Sequence, residues 1–206
     1  MKRRTVLSGF GASLALGGCS ALGALGNAAR PLDVYDLQPP VDLPVASRQS
    51  PREVIVEVPA TAGSLNTDRI LVRPDRFQAQ YLPDARWGEE TPLMLQTLMV
   101  RSLQATQGLL FVGRRPLSRS GDVAVVSELV AFEGQITATG PAVSIVLELR
   151  LVAERDATIF AARRLEAEAA AASSDTRDIV AAFDAATGAL LSDFTTWTMA
   201  RLGLPL

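Results

Sequence analysis

The chain reads as α+β: about seven strands and two helices in one domain, set behind an export signal. Three observations carry that reading. Several segments alternate apolar and polar residues with period two, two others repeat apolar residues at helical spacing, and Gly or Pro separates most of them. With 206 residues, of which 48% are apolar, the chain can bury a real core.

The N-terminus comes first. Lys2-Arg3-Arg4 precedes an apolar run from Val6 to Leu16, and Leu16-Gly17-Gly18-Cys19 closes it. A basic start, a short apolar run and small residues at the cleavage point make an export signal. The run is too short to span a bilayer, which needs about 20 apolar residues. A cysteine directly after Gly17-Gly18 is what a bacterial lipoprotein signal requires, because its sulfur takes the diacylglycerol. Cys19 is the only cysteine, so it forms no disulfide within the chain.

The expected organisation is a signal peptide over 1–18, a lipidated tether over 19–32 and one domain over 33–203. Removing the signal takes Lys2, Arg3 and Arg4 and no acid, so net charge moves from −2 to −5. That argues against nucleic acid as a partner, since nucleic acid needs a basic footprint. Arg3-Arg4-Thr5-Val6-Leu7 matches a twin-arginine signal only in part, and no cofactor site follows that would require folded export; the general secretory route is favoured. Ser20, in place of an aspartate after the cysteine, implies passage to the periplasmic face of the outer membrane. About three acyl chains on Cys19 would hold the protein there, one chain being marginal and two sufficient.

The elements follow in order. Ser20 to Arg30 and Pro39 to Pro51 have tether and connector compositions, and Val34-Tyr35-Asp36-Leu37 between them is extended. Glu53 to Val58 alternates as a strand, with Val54, Val56 and Val58 on one side, and Pro59 ends it. Arg69 to Val72 and Arg76 to Leu82 form a hairpin across Pro74-Asp75. Thr91-Pro92 starts a helix as cap then proline; Leu95, Leu98, Met99, Ser102 and Leu103 give its stripe and Gly108 its stop. Leu109 to Val112 reads as a buried strand.

Val123 to Ile136 and Ala142 to Ala153 are longer strands joined by Gly140-Pro141, and the second sets Val143, Ile145, Leu147, Leu149 and Leu151 on one face. Thr158 to Ala169 is the last strand, although its alanine-rich end is equally compatible with helix. Ser173-Ser174-Asp175 caps a final helix whose Ile179, Phe183, Ala186, Leu190, Phe194 and Trp197 form one apolar stripe, ending at Gly203 and Pro205.

Chemistry is narrowed by what is missing from the sequence. There is no histidine, and acylation consumes the lone thiol, which removes imidazole triads, cysteine nucleophiles and imidazole or thiolate metal sites. No Gly-rich phosphate cradle is present. Carboxylate chemistry would fall to Glu89-Glu90 or Glu166 and Glu168, which read as a helix-entry pair and a solvated strand face.

Arg69, Arg73, Arg76 and Arg86 surround Tyr81 and Trp87. They are either a surface for a partner or an anionic lipid, with Arg69, Arg73, Tyr81, Arg86 and Trp87 as its contacts, or strand ends whose arginines pair with Asp68, Asp75 and Asp84. Trp87, Trp197 and Phe132 read more readily as core.

Taken in order, several segments resemble the ABC-type transport auxiliary lipoprotein family. They are Tyr35-Asp36-Leu37; Asp68-Arg69-Ile70-Leu71-Val72-Arg73; Tyr81 with Ala85-Arg86-Trp87; Pro92 and Leu95-Gln96; Leu129 with Phe132-Glu133; and Ile179-Val180-Ala181-Ala182-Phe183-Asp184-Ala185-Ala186 with Leu190, Leu191 and Trp197. The chain has a single tyrosine where the family has an aromatic pair near Tyr81.

The resemblance implies an antiparallel sheet with two long helices packed on one side. It also implies a non-catalytic auxiliary role in an ABC/MCE intermembrane lipid transport system, with an MCE-domain protein as partner, a membrane attachment through the lipid, and no cofactor beyond the covalent lipid on Cys19. Whether copies of the chain associate is left open. The competing functions are a structural or assembly lipoprotein for envelope proteins or lipopolysaccharide, and a carboxylate hydrolase, which would show a buried acidic pair in a cleft.

Overall fold

The strand Val123–Thr137 is the spine on which the rest of the sheet is built. The computed structural model describes residues 31–206 apart from 116–120, 138 and 205, so Cys19 and the signal lie outside the described residues. In chain order the elements are β1 Asp33–Tyr35, β2 Ser50–Val56, β3 Ala60–Thr61, β4 Arg69–Asp75, β5 Gln78–Trp87, α1 Thr91–Ala105, β6 Leu109–Gly113, β7 Val123–Thr137, β8 Gly140–Ala153, β9 Thr158–Ala170 and α2 Thr176–Arg201. All nine strands join one sheet, and Leu32–Leu206 is one compact unit.

On one side of β7 lies β8, antiparallel from Val123↔Ala153 to Thr137↔Gly140, and β9 is antiparallel to β8 beyond it. The other side of β7 is shared by three strands in succession. β2 pairs at Val123–Val125, β3 at Glu128–Leu129 and β4 at Gly134–Gln135, each parallel to β7. From Ser50 to Asp75 the chain thus makes one pass along β7. Pro59, which has no N–H to give the ladder, stands in the first break. β6 flanks β2 in parallel, β5 is antiparallel to β4, and β1 is parallel to β5.

The α+β class with two helices is as expected, but the sheet is mixed rather than antiparallel. Hairpins are legible from turn residues, whereas parallel neighbours such as β2 and β7 are brought together from distant parts of the chain.

One face of β8 carries Val143, Ile145, Leu147, Leu149 and Leu151, all buried, and α2 packs on β8 and β9 with Ile179, Phe183, Ala186, Leu190, Phe194 and Trp197 buried. The alanine-rich end of β9 is strand, held by the pairs from Leu147↔Leu165 to Ala142↔Ala170. α1 buries Leu95, Leu98, Met99, Ser102 and Leu103 against α2, β2 and β6.

Where β7 meets β8 the register shifts between Leu129 and Ala131, leaving Val130 as an extra residue. Strict alternation from Leu129 would turn Phe132 to the opposite face; the bulge restores it to the core. There Phe132 stacks on Phe183 with centroids 4.9 Å apart, and Trp87 meets both edge-on at 6.0 and 5.2 Å. The three rings tie β5, β7 and α2 together.

Four local expectations are corrected. Thr91 does not cap α1: its hydroxyl donates to the Thr67 carbonyl at 3.0 Å, and Glu90 is the N-cap residue. Gly108 is not the left-handed stop, since Gln107 takes that conformation with φ 54°. Gly108 is instead a close approach, where a Cβ would lie 2.6 Å from Met199 Cε and 2.7 Å from Ala46 Cβ. Leu109–Gly113 is an edge strand with Leu110 exposed, because β6 pairs only with β2.

The fourth is the β2 strand, where Val54, Ile55 and Val56 are all buried while Val58 lies exposed beyond its end, so its two faces do not divide as alternation suggested. At the end of α2, Gly203 is left-handed, its N–H bonds Ala200 O and Leu204 N–H bonds Met199 O. This pair of bonds satisfies two terminal carbonyls.

Candidate functional site

The β4–β5 hairpin carries most of the arginine and aromatic residues singled out above. Its turn residues are Arg76-Phe77, two residues later than Pro74-Asp75 implied, and the Asp75 carboxylate accepts from the N–H groups of Phe77 and Gln78 at 2.7 and 3.0 Å. Asp75 is therefore committed to the turn.

At the base of the hairpin Arg69 and Arg86 are cross-strand neighbours, and Leu71 faces Tyr81. The Arg69 guanidinium lies 5.9 Å from the Tyr81 ring centroid and donates to the Leu82 carbonyl at 2.9 Å. Tyr81 donates its hydroxyl to the Ser64 carbonyl at 3.1 Å. Arg86 donates to Asp68 at 3.2 Å and to the Trp87 carbonyl at 3.1 Å. The fold thus gathers Arg69, Tyr81 and Arg86 into one half-exposed cluster braced by its own backbone.

Arg73 and Trp87 are elsewhere. Arg73 points to β7 and pairs through Nε with Glu133 at 2.5 Å, where Glu133 also accepts from Gln135 at 3.1 Å. Trp87 is wholly buried and offers no surface. Of the expected acid partners, Asp68 serves Arg86; Arg73 goes to Glu133, 60 residues away in sequence, which no local pattern could reveal.

The two ion pairs differ in environment, and so in worth. The Glu133 side chain is 10% exposed, while those of Asp68 and Arg86 are 38% and 37% exposed. Arg73→Ala is expected to destabilise by about 1–3 kcal/mol by stranding a nearly buried carboxylate, and Arg86→Ala by less than about 1 kcal/mol. Urea midpoints of the two variants give the order, and a reversed order would refute it.

Two further features escaped the sequence. Phe77, at the hairpin tip, is 83% exposed with the Arg76 guanidinium 4.4 Å from its ring centroid, and Ile136 at the end of β7 is also exposed. At the opposite end of β7, Arg115 bonds Glu154 and Glu57, each at 2.5 Å, and these carboxylates raise its pKa further, Glu154 most. Glu154 also accepts from the Gly121 N–H at 2.8 Å, and Asp122 from that of Glu53 at 2.8 Å. An open groove beside this node is lined by Arg52, Asp122, Arg155, Phe160 and Arg201 among others. The groups come from β2, β9, the end of α2 and the loops after β2, β6 and β8, so only the fold assembles them.

The carboxylates considered for catalysis lie apart. Glu89 accepts from Thr97 at 3.3 Å, Glu90 begins α1, and Glu166 is bonded by Arg164 on the exposed face of β9. Among the described residues no cluster of His, Cys, Asp or Glu suits a metal, and no helix is long and apolar enough to cross a membrane.

The architecture is a mixed sheet backed by two helices. The model of the ABC-type transport auxiliary lipoprotein component matches residues 35–194, and the chain belongs to that family. The fold is shared with solved structures. Protein XCC0632 from Xanthomonas campestris, of the DUF330 family, is 22% identical with a TM-score of 0.72, covering 83% of this chain and 97% of that one. A second, described as an uncharacterized protein, is 16% identical with a TM-score of 0.63, covering 82% and 99%. Hypothetical protein CT253 from Chlamydia trachomatis is 11% identical with a TM-score of 0.50, covering 74% and 99%. At these identities the likeness is one of fold. No curated protein matches the sequence.

Proposed function

We propose that this protein is the lipid-anchored, non-catalytic auxiliary subunit of an MCE-type intermembrane lipid transport system, placed on the periplasmic face of the outer membrane. The carrying observation is the family match over residues 35–194, set directly behind the lipobox that ends at Cys19. Transport energy would come from a partner ATPase, since the chain has no phosphate cradle. Its own contribution would be position and contact: the acyl chains hold it at the bilayer and the folded body meets the MCE-domain protein, with no cofactor required.

The Arg69–Tyr81–Arg86 cluster is the proposed contact, because Arg86 and Tyr81 are 37% and 38% exposed and both arginines are held by backbone carbonyls. The test is purification of the tagged full-length chain from its native envelope in mild detergent, followed by mass spectrometry of what accompanies it. An MCE-domain protein is the expected companion, and Arg86→Ala should reduce its recovery while lowering stability by less than about 1 kcal/mol. Recovery of β-barrel assembly proteins alone would replace this reading with envelope assembly.

A further inference from the structure

The tip of the β4–β5 hairpin puts a large apolar side chain into water. Phe77 is 83% exposed, with the Arg76 guanidinium 4.4 Å from its ring centroid. It stands in a two-residue turn, where glycine, asparagine or aspartate is the usual choice, so the turn itself does not call for a phenylalanine. Ile136, 58% exposed at the end of β7, lines one groove with Arg73 and Arg76. Because β4 and β7 are parallel, these apolar groups lie at the same end of the sheet.

The polar groups of the tip suit it to an apolar boundary. The Asp75 carboxylate accepts from the N–H groups of both Phe77 and Gln78, so neither donor is stranded when the tip leaves water. Arg76, stacked on the ring, can keep its charge at the level of phosphate oxygens while the ring goes deeper.

The path of the chain names the occupant. β1 is parallel to β5, with Asp33 beside Ala85, so the chain enters β1 from the side of the hairpin tip, about 20 Å from Gln78 along β5. The stretch from Cys19 to Leu32 extends to at most about 45 Å, which brings the tip within reach of the bilayer that holds the anchor. The opposite end of β7 carries the Arg115–Glu57–Glu154 node instead.

We propose that the Arg76-Phe77 tip is a membrane foot, seating Phe77 among the phospholipid headgroups and setting Arg76 on their phosphates. The proposal rests on the Cys19 anchor of the preceding reading. Anchored beside the surface, the body meets it at high effective concentration, so a contact too weak to hold a free protein is populated. The foot would stand the hairpin upright, with the base of the hairpin raised away from the bilayer.

The test uses the full-length acylated chain in vesicles of phosphatidylcholine and phosphatidylglycerol. With Cys19 acylated, an introduced cysteine is the only free thiol. An environment-sensitive fluorophore is attached at Gln78→Cys, beside the tip, or at Arg155→Cys, in the turn after β8 about 45 Å away along β7. Lipid carrying a doxyl quencher at headgroup depth should quench the first probe and spare the second. In the Gln78→Cys background, Phe77→Ser should lower the ratio of seated to free tips about tenfold with an unchanged urea midpoint, and Phe77→Trp should keep the quenching. Vesicle-bound protein whose Gln78→Cys probe stays in water, is quenched no more than the one at position 155, or is indifferent to Phe77→Ser overturns the foot and leaves the anchor standing. Failure to bind the vesicles at all overturns the anchor and the foot with it. Shielding of the tip in the native membrane but not in protein-free vesicles assigns it to a protein partner, which also overturns the proposal.

Discussion

Phe183→Ala is expected to cost about 3–5 kcal/mol of stability. Phe183 is fully buried on α2 and touches both other rings of the central cluster, stacked on Phe132 and edge-on to Trp87. Removing it deletes the ring's transfer free energy and both ring contacts. It also leaves a cavity that Phe132 on β7 and Trp87 on β5 cannot close, because both are held in the sheet. Domains of this kind have about 5–15 kcal/mol in all, so the loss is a large share. A lower urea midpoint with an unchanged slope is the expected result. Phe160→Ala, at a half-exposed edge position, should change the midpoint by no more than about 0.5 kcal/mol. A wild-type midpoint for Phe183→Ala would place Phe183 outside the core.

Cys19→Ser should move the protein from the membrane fraction to the soluble one. The expectation rests on the sequence, where the lone thiol follows Gly17-Gly18. Two or more acyl chains give stable anchoring and none gives none, and no helix among the described residues could span the bilayer in their place. Fractionation with labelling by a palmitate analogue reads the result. A Cys19→Ser protein that stays membrane-bound and takes the label as wild type does would refute the anchor. With Cys19 acylated, the stretch from Cys19 to Leu32, at most about 45 Å when extended, would bound how far the body stands from the lipid surface.

The elements that the sequence made legible are those whose signal is local. β8 alternates over 14 residues and its apolar face is the buried one. The α2 stripe repeats over about five turns, and all six of its named residues are buried, because a helix that long shows one face to the core regardless of what it meets there. Trp87 and Phe132 could be read as core from size and context.

What escaped reading depends on partners far along the chain. The parallel pairing of β2, β3 and β4 on β7, the Val130 bulge and the Arg73–Glu133 pair each join segments with no shared pattern. The hairpin arginines show the same division. Arg86 found an acid 18 positions away in the neighbouring segment, as anticipated, while Asp75 was taken by its own turn and left Arg73 to seek Glu133.

By itself, then, the sequence determined the α+β class, the two helices, the hairpins and the stripe that α2 buries, since periodicity and turn chemistry act within a few residues. Only the tertiary structure decided strand order and direction, the face on which Phe132 lands, and which of five candidate contacts stay accessible. Those outcomes depend on contacts between residues far apart in the chain, and burial is a property of the assembled core rather than of any segment.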